Sequence, residues 1–428
     1  MNFYRYDKNI ETQKVEKGGT MSQAYDIMVA GHLCIDIIPQ FPDMGATNIG
    51  DIMRPGKLVN VGSAKISSGG PVSNTGIAMK ILGSNVCFCA CVGDDELGKL
   101  TVELVRKSGN PQGIHVIKNA SSSYTIAIAP PNIDRIFLHN PGTNNQFGSE
   151  YLDSELISRC RHFHFGYPPV MKRMFENKGA ELQKVLQIAK KTGTTTSCDM
   201  TLPDPDSASG KIDWHNILQK VLPYIDVYLP SVEETLYMIY PEKFLKSKAE
   251  HKGADLIDYI DADQYSELAD KVLNMGAKVV ALKSGHRGFY VKTKSQACFE
   301  SMGRAKPGDS QNWSDREIWA PAFKPKKFGS ATGSGDSAVA GFLSAFLRGL
   351  SIERAVKYAT CCGLQNVQVL DAVSGIRTWD ETTKMLDENM PMIDIGVKAQ
   401  DWNWSDQYQL WSGPDDTREL HESKAKRE

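Results

Sequence analysis

Ser330-Ala331-Thr332-Gly333-Ser334-Gly335-Asp336, running directly into the apolar stretch Ser337-Ala338-Val339-Ala340-Gly341-Phe342-Leu343, carries the strongest signal in this chain. Small residues ahead of a helix let successive backbone N–H groups face one point, and the helix start adds the positive end of its dipole. Gly333, Ser334 and Gly335 therefore predict an anion hole with Asp336 at its mouth. A carboxylate beside a phosphate site repels phosphate, but it suits a base that takes the proton of an attacking hydroxyl. The competing reading is an Asp that caps the helix after a flexible loop. Neither G-x-x-x-x-G-K-[ST] nor H-R-D occurs in the chain, so phosphoryl transfer here would use a different cradle.

Around this segment strands and helices alternate. Tyr25 to Ile38 begins as an apolar strand, and Ser73 to Gly83 reads as a helix stopped by glycine. Farther on, HFHFGY (162–167), TTTSCDM (194–200), IDVYLP (225–230) and KVVALKSG (278–285) read as strands between amphipathic helices. This rhythm predicts an α/β fold with a doubly wound, mostly parallel sheet covered on both faces. Two regions break it. Residues 40–68 are punctuated by Gly and Pro around KLVNV and AKISS, and 112–130 reads as a β pair. Both are assigned to a small second sheet.

The 428 residues carry 49 Lys+Arg against 51 Asp+Glu, a formal charge of −2, which gives no reason to expect nucleic acid as a partner. No apolar run reaches about 18 residues, so no membrane span is expected. The nine cysteines form no C-x-x-C pair, and a reduced, cytoplasmic setting is expected. Cys87, Cys89 and Cys91 alternate along one strand face and read as small core residues rather than a metal site. Residues 1–24 read as a disordered leader, in which Met21 is a candidate start. Residues 391–428 read as a C-terminal extension whose Trp402, Trp404 and Trp411 pack on the body.

The Ser330–Asp336 segment resembles the second signature of the ribokinase-like PfkB carbohydrate kinases, D-T-T-G-A-G-D, with Thr332 on its second Thr and Ser330 in place of its first Asp. Gly69-Gly70-Pro71-Val72-Ser73-Asn74 resembles the first signature, and Val92 to Gly98 resembles the V-G-x-D-x-x-G run that follows. In order along the chain, Gly31 to Asp36 resembles the opening strand with its sugar-binding Asp. Pro230-Ser231-Val232-Glu233-Glu234 resembles P-N-x-x-E, with Ser231 in place of Asn. Lys283-Ser284-Gly285-His286-Arg287-Gly288 resembles the nucleotide turn T-x-G-x-x-G, with Lys283 in place of Thr. Pro141 to Asn144, with Arg135 upstream, resembles a substrate strip.

The resemblance implies a three-layer ribokinase-like sandwich over residues 25–390 with a β-sheet lid from about 40–68 and 112–130. It implies ATP-dependent phosphorylation of a small sugar, with Asp336 as base. Asp36, Gly69, Gly70, Asn74 and Asn144 would bind the sugar. Ser231, Lys283, Ser284, Gly285, Gly288 and Thr332 would bind the nucleotide, and Glu234 would hold Mg²⁺ through water. A homodimer through the lid is also implied. In many relatives K⁺ binds beside the anion hole through the Asp that Ser330 replaces here, so little response to K⁺ is expected. Two alternatives stay open: a nucleoside kinase, with Tyr167 stacking on a base, and a catalytically silent sensor of sugar or nucleotide.

Overall fold

The computed structural model describes residues 25–133, 136–388, 390–397 and 399–418. The expected leader, Arg135 and residues 419–428 lie outside them. The strands in chain order are β1 (Tyr25–Gly31), β2 (Cys34–Pro39), β3 (Ala64–Gly69), β4 (Val86–Gly93), β5 (Asn110–Ile117), β6 (Tyr124–Ile128), β7 (Ile136–Asn140), β8 (Cys160–Gly166), β9 (Thr195–Asp199), β10 (Val227–Tyr228), β11 (Val279–Lys283), β12 (Phe289–Thr293), β13 (Glu317–Ala320), β14 (Asn403–Ser405) and β15 (Leu410–Ser412). Among the described residues, eleven of them form one sheet in the order β14-β15-β13-β12-β11-β10-β9-β8-β1-β4-β5. From β11 to β5 every pairing is parallel, and β12, β13, β15 and β14 continue antiparallel.

Side chains divide between the sheet's faces as a period of two requires. On β4, Cys87, Cys89 and Cys91 enter one core cluster with residues from helices Lys172–Lys191, Trp214–Val221 and Ala262–Met275. Val86, Phe88, Ala90 and Val92 enter the other, with helices Pro71–Ile81, Ser334–Leu347 and Ile352–Val367. Both faces are thus covered by helices, giving three layers. Among the described residues no helix is long and apolar enough to cross a membrane.

The small sheet has the order β3-β2-β6-β7, which differs from expectation in three ways. Residues 112–117 belong to β5, an edge strand of the main sheet paired parallel to β4. The missing lid strand is β7, antiparallel to β6. KLVNV forms no strand, and a short helix at Ile49–Ile52 lies upstream of it. At the other end, residues 403–412 are more than a tail packed on the body, because β15 pairs with β13 and extends the main sheet. Trp402 packs near Tyr290 and Trp319, and Trp404 meets Trp411 edge-on. Arg316, buried ahead of β13, donates to Asp416 and Glu353 at 3.0 and 2.7 Å and ties this segment in.

Candidate active site

Crossover helices leave the carboxyl ends of parallel strands along one rim of the sheet, where ligands of open α/β sheets bind. Gly31 ends β1, Gly166 ends β8, Asp199 ends β9 and Lys283 ends β11, while Ser231 follows β10. Ser334–Leu347 starts at the same rim, with Asp336 in its first turn.

Asp336 is 2% exposed. Asn74 Nδ2 donates to its Oδ2 at 2.9 Å, the Tyr167 hydroxyl to its Oδ1 at 3.0 Å and the Thr75 hydroxyl to Oδ1 at 3.4 Å. Burial holds its pKa above the usual carboxylate range, against the opposing pull of Asn74, Lys283, Tyr167 and Thr75. Gly333 precedes the helix with φ +71°, and a Cβ there would lie 2.4 Å from the Ala372 carbonyl oxygen, so a larger residue is excluded. Ser334 N–H bonds the Ala331 carbonyl, which leaves the Gly335 and Asp336 amides without intrahelical acceptors. The geometry therefore offers an N–H concavity with a buried carboxylate beside it. Thr332 lies in the loop, its N–H donating to Ser330 Oγ at 3.0 Å and its carbonyl accepting from Asn366.

A second group faces Asp336. The Lys283 ammonium donates to Asp199 Oδ1, and Glu234 Oε2 stands 4.0 Å from it. Burial alone would lower the Lys283 pKa, but Asp199 and Glu234 outweigh it and hold it above its ordinary value. Burial pushes Asp199 up, with Lys283 opposing and the Glu234 and Asp336 charges adding. Asp199 Oδ2 is buried without a hydrogen-bond partner among the described residues. Ser231 and Glu234 form a reciprocal cap: Glu234 N–H donates to Ser231 Oγ at 3.1 Å, and Ser231 N–H to Glu234 Oε2 at 2.6 Å. Ser231 also bridges to Lys283 across the strands. The rest of the expected nucleotide turn is a tight 3₁₀ loop in which Ser284 N–H bonds the Gly288 carbonyl at 2.9 Å; Gly285 packs near Ile257 and Gly288 against Ala320.

The acceptor candidates gather where the lid joins the body. Asp36 on β2 sits against Gly69 on β3 so closely that a Cβ on Gly69 would fall 2.2 Å from its carboxylate. Burial pushes the Asp36 pKa up to about 6. Gly70 leads into Asn74's helix with φ +82°, and Asn74 Oδ1 is buried without a partner among the described residues. Asp36 lines a cavity of about 960 Å³ between lid and body, whose walls include Phe41, Lys65, Phe137, Phe328 and Ser330. Asn144 departs from its expected role. Its amide accepts from Leu33 N–H at 3.2 Å and donates to the Leu33 carbonyl at 3.0 Å, so it staples the turn ahead of Asp36 rather than facing an acceptor.

Three residues enter the site without having been given these roles from sequence. Asp199 is the last residue of β9, Thr-Thr-Ser-Cys-Asp, where a carboxylate reads as a strand-end residue. His32 is buried, its pKa pushed down to about 3 by burial and His139, and both ring nitrogens lack hydrogen-bond partners among the described residues. Tyr167, expected as a stacking face, instead bonds Asp336 through its hydroxyl. The available hint for Tyr167 was Gly166-Tyr167-Pro168-Pro169 directly after a strand, a chain reversal at the sheet's rim.

Residues 25–379 match the pfkB family of carbohydrate kinases. A probable fructokinase-3 of Arabidopsis thaliana is 26% identical over 182 residues, 42% of this chain and 48% of that protein, so the chain's match spans about half the length of that relative. A nucleoside kinase of Methanocaldococcus jannaschii is 24% identical over 374 residues, 87% of this chain and 99% of that protein. The solved Arabidopsis thaliana ribokinase, complexed with ribose and ATP, superposes with TM-score 0.63 at 17% identity, covering 85% of this chain and 99% of that one.

Proposed function

The chain belongs to the pfkB carbohydrate kinase family, and from that membership we propose that it is an ATP-dependent sugar kinase that moves the γ-phosphate of ATP onto a hydroxyl of a small carbohydrate. The observation that carries this reading is Asp336: a buried carboxylate in the first turn of a helix, beside N–H groups with no intrahelical acceptor, and held by Asn74, Thr75 and Tyr167. A cap alone would not require that much buried support.

In this mechanism Asp36, Gly70 and Asn74 hold the acceptor, with Asn74 Oδ1 and the neutral His32 ring offering further hydrogen-bond positions. Asp336 takes the hydroxyl proton as that oxygen bonds to the γ-phosphorus and the bond to the β-phosphate oxygen breaks. The Gly335 and Asp336 amides stabilise charge on the group in transfer. Glu234 and the unpartnered Asp199 oxygen would help hold Mg²⁺. Bound there, Mg²⁺ neutralises phosphate charge. The lid, closing over the acceptor, would exclude water. Its exposed Ile66 and Leu138 suit the homodimer through this sheet, which sedimentation would test.

A nucleoside acceptor is the second reading. The cavity of about 960 Å³ sits at the upper end of the roughly 300–1,000 Å³ usual for small-molecule sites, and Phe41, Phe137 and Phe328 supply apolar wall. The deciding experiment is ADP release with ATP and Mg²⁺ across a panel of sugars and nucleosides. Turnover on one class assigns the acceptor. Nucleotide binding without turnover on any member would leave a silent sensor instead.

A further inference from the structure

We propose that Lys283 is a catalytic residue whose ammonium contacts the non-bridging oxygens of the phosphoryl group in transfer, a positive charge built into the chain at the edge of the anion hole. The inference rests on the kinase reading and adds to it a charge that the Gly-rich loop lacks.

Four observations place the ammonium there. Lys283 is the last residue of β11, at the same rim as Asp336. Its side chain is 11% exposed, and the ammonium is fixed by Asp199. The stem runs along the first turn of the Asp336 helix: a Cβ built on Gly335 would stand 3.4 Å from Lys283 Cδ, 3.8 Å from Cε and 3.9 Å from Nζ. The ammonium therefore ends next to the amide concavity. Finally, it is held between two carboxylates, Asp199 and Glu234, the second 4.0 Å away.

An ammonium has three donors. One goes to Asp199, and Glu234 at 4.0 Å is beyond hydrogen-bond reach. Donors are left for an oxygen arriving at the helix start. A purely structural pair is the rival account. Buried ion pairs contribute little net stability, and apolar residues of like volume do as well. A pair retained at the rim, directed at a phosphate concavity, is better accounted for by a ligand. As the acceptor oxygen attacks and the bond to the β-phosphate breaks, charge on the peripheral oxygens is met by Lys283 together with the Gly335 and Asp336 amides. The acceptor proton goes to Asp336.

The test compares Lys283→Met/Asp199→Asn with Asp199→Asn alone, so that the loss of the Asp199 carboxylate is common to both, with wild type as the reference. The double variant removes the ammonium without leaving Asp199 charged and unpaired, and Glu234 keeps the hydrogen bond from Ser231 N–H. Calorimetry gives affinities for ADP and for the triphosphate analogue AMP-PNP. Thermal melting reports folding, and turnover is read on the best acceptor of the panel. The expected result is that the double variant binds ADP nearly as Asp199→Asn does but loses about tenfold or more for AMP-PNP relative to it, with kcat lower by a further factor of about 10²–10³. Equal changes for both nucleotides, or a double variant that does not fold, would mark the pair as structural and overturn the proposal. A wild type that binds neither nucleotide would overturn the kinase reading itself, and this inference with it.

Discussion

Tyr167 and Asp336 stand 169 residues apart in sequence, yet the phenol donates to the carboxylate at 3.0 Å from a backbone at φ 64°, ψ 46°. An aromatic residue in the left-handed region carries strain of about 1–2 kcal/mol, so the contact is maintained against a local preference. Tyr167→Phe removes the donor alone. That hydrogen bond lowers the Asp336 pKa, so its loss should raise the pKa of the base. The acid limb of kcat against pH should then move to higher pH, and kcat near neutrality should fall about tenfold. An unmoved acid limb would show that the phenol does not tune Asp336.

Asp336→Asn keeps the shape and one acceptor oxygen but removes the base. Turnover should fall by about 10²–10⁴, with melting temperature and ADP affinity nearly unchanged. Single-turnover quench kinetics separate this from a binding defect. Near wild-type turnover would sink the assignment.

Asp36 offers a pH signature. With its pKa raised to about 6 by burial, it is ionised at neutral pH and protonated below that value. Only the ionised form can accept charge-assisted hydrogen bonds from two acceptor hydroxyls. The acceptor KM should therefore rise as pH falls through about 6, while the ATP KM stays level. Asp36→Asn should raise the acceptor KM above about pH 6 to the level wild type reaches below it, and so flatten the dependence. Equal movement of both KM values would reduce Asp36 to a strand-end cap.

Much of this site was legible because its chemistry is local. Gly333 to Asp336 form one turn, and glycine spacing announces an anion hole whatever lies around it. Asp199, Tyr167 and His32 were opaque in these roles, since only the order of β1, β8, β9 and β11 across the sheet sets them around Asp336. The lid was misdrawn for a different reason. Edge strand β5 has one solvated side, so its half-polar alternation mimics a lid strand. Exposed, apolar β7 carries no such alternation. At the C-terminal side, β14 and β15 are three residues each, too short for any periodicity to register.

The Arg316 cluster should matter for stability. Arg316, Glu353 and Asp416 are each at most 4% exposed, and Arg316→Met would remove the guanidinium from buried Asp416 and leave Glu353 with only Arg418 and Asn312 among the described residues. Unfolding free energy by urea titration should drop by about 3–5 kcal/mol. A loss below about 1 kcal/mol would mean that Arg418, 2.8 Å from Glu353, carries the charge instead.

Ser330 bears on ion dependence. A hard monovalent cation prefers oxygen ligands and gains most from a carboxylate, which this position lacks. Activity should require Mg²⁺ but change less than about threefold when K⁺ is replaced by a bulky organic cation at fixed ionic strength. Tenfold activation on restoring K⁺ would refute this account of Ser330.

The pairing of β13 with β15 joins Trp319 to Trp411, and it also bears on how the protein is made. During synthesis β13 leaves the ribosome well before the strand that covers it. Until then its outer edge is an open row of N–H and C=O groups, the kind of edge other chains pair with. Chaperone demand and inclusion-body formation should thus concentrate in that interval, and a chain halted before residue 403 should aggregate even with every catalytic residue already in place.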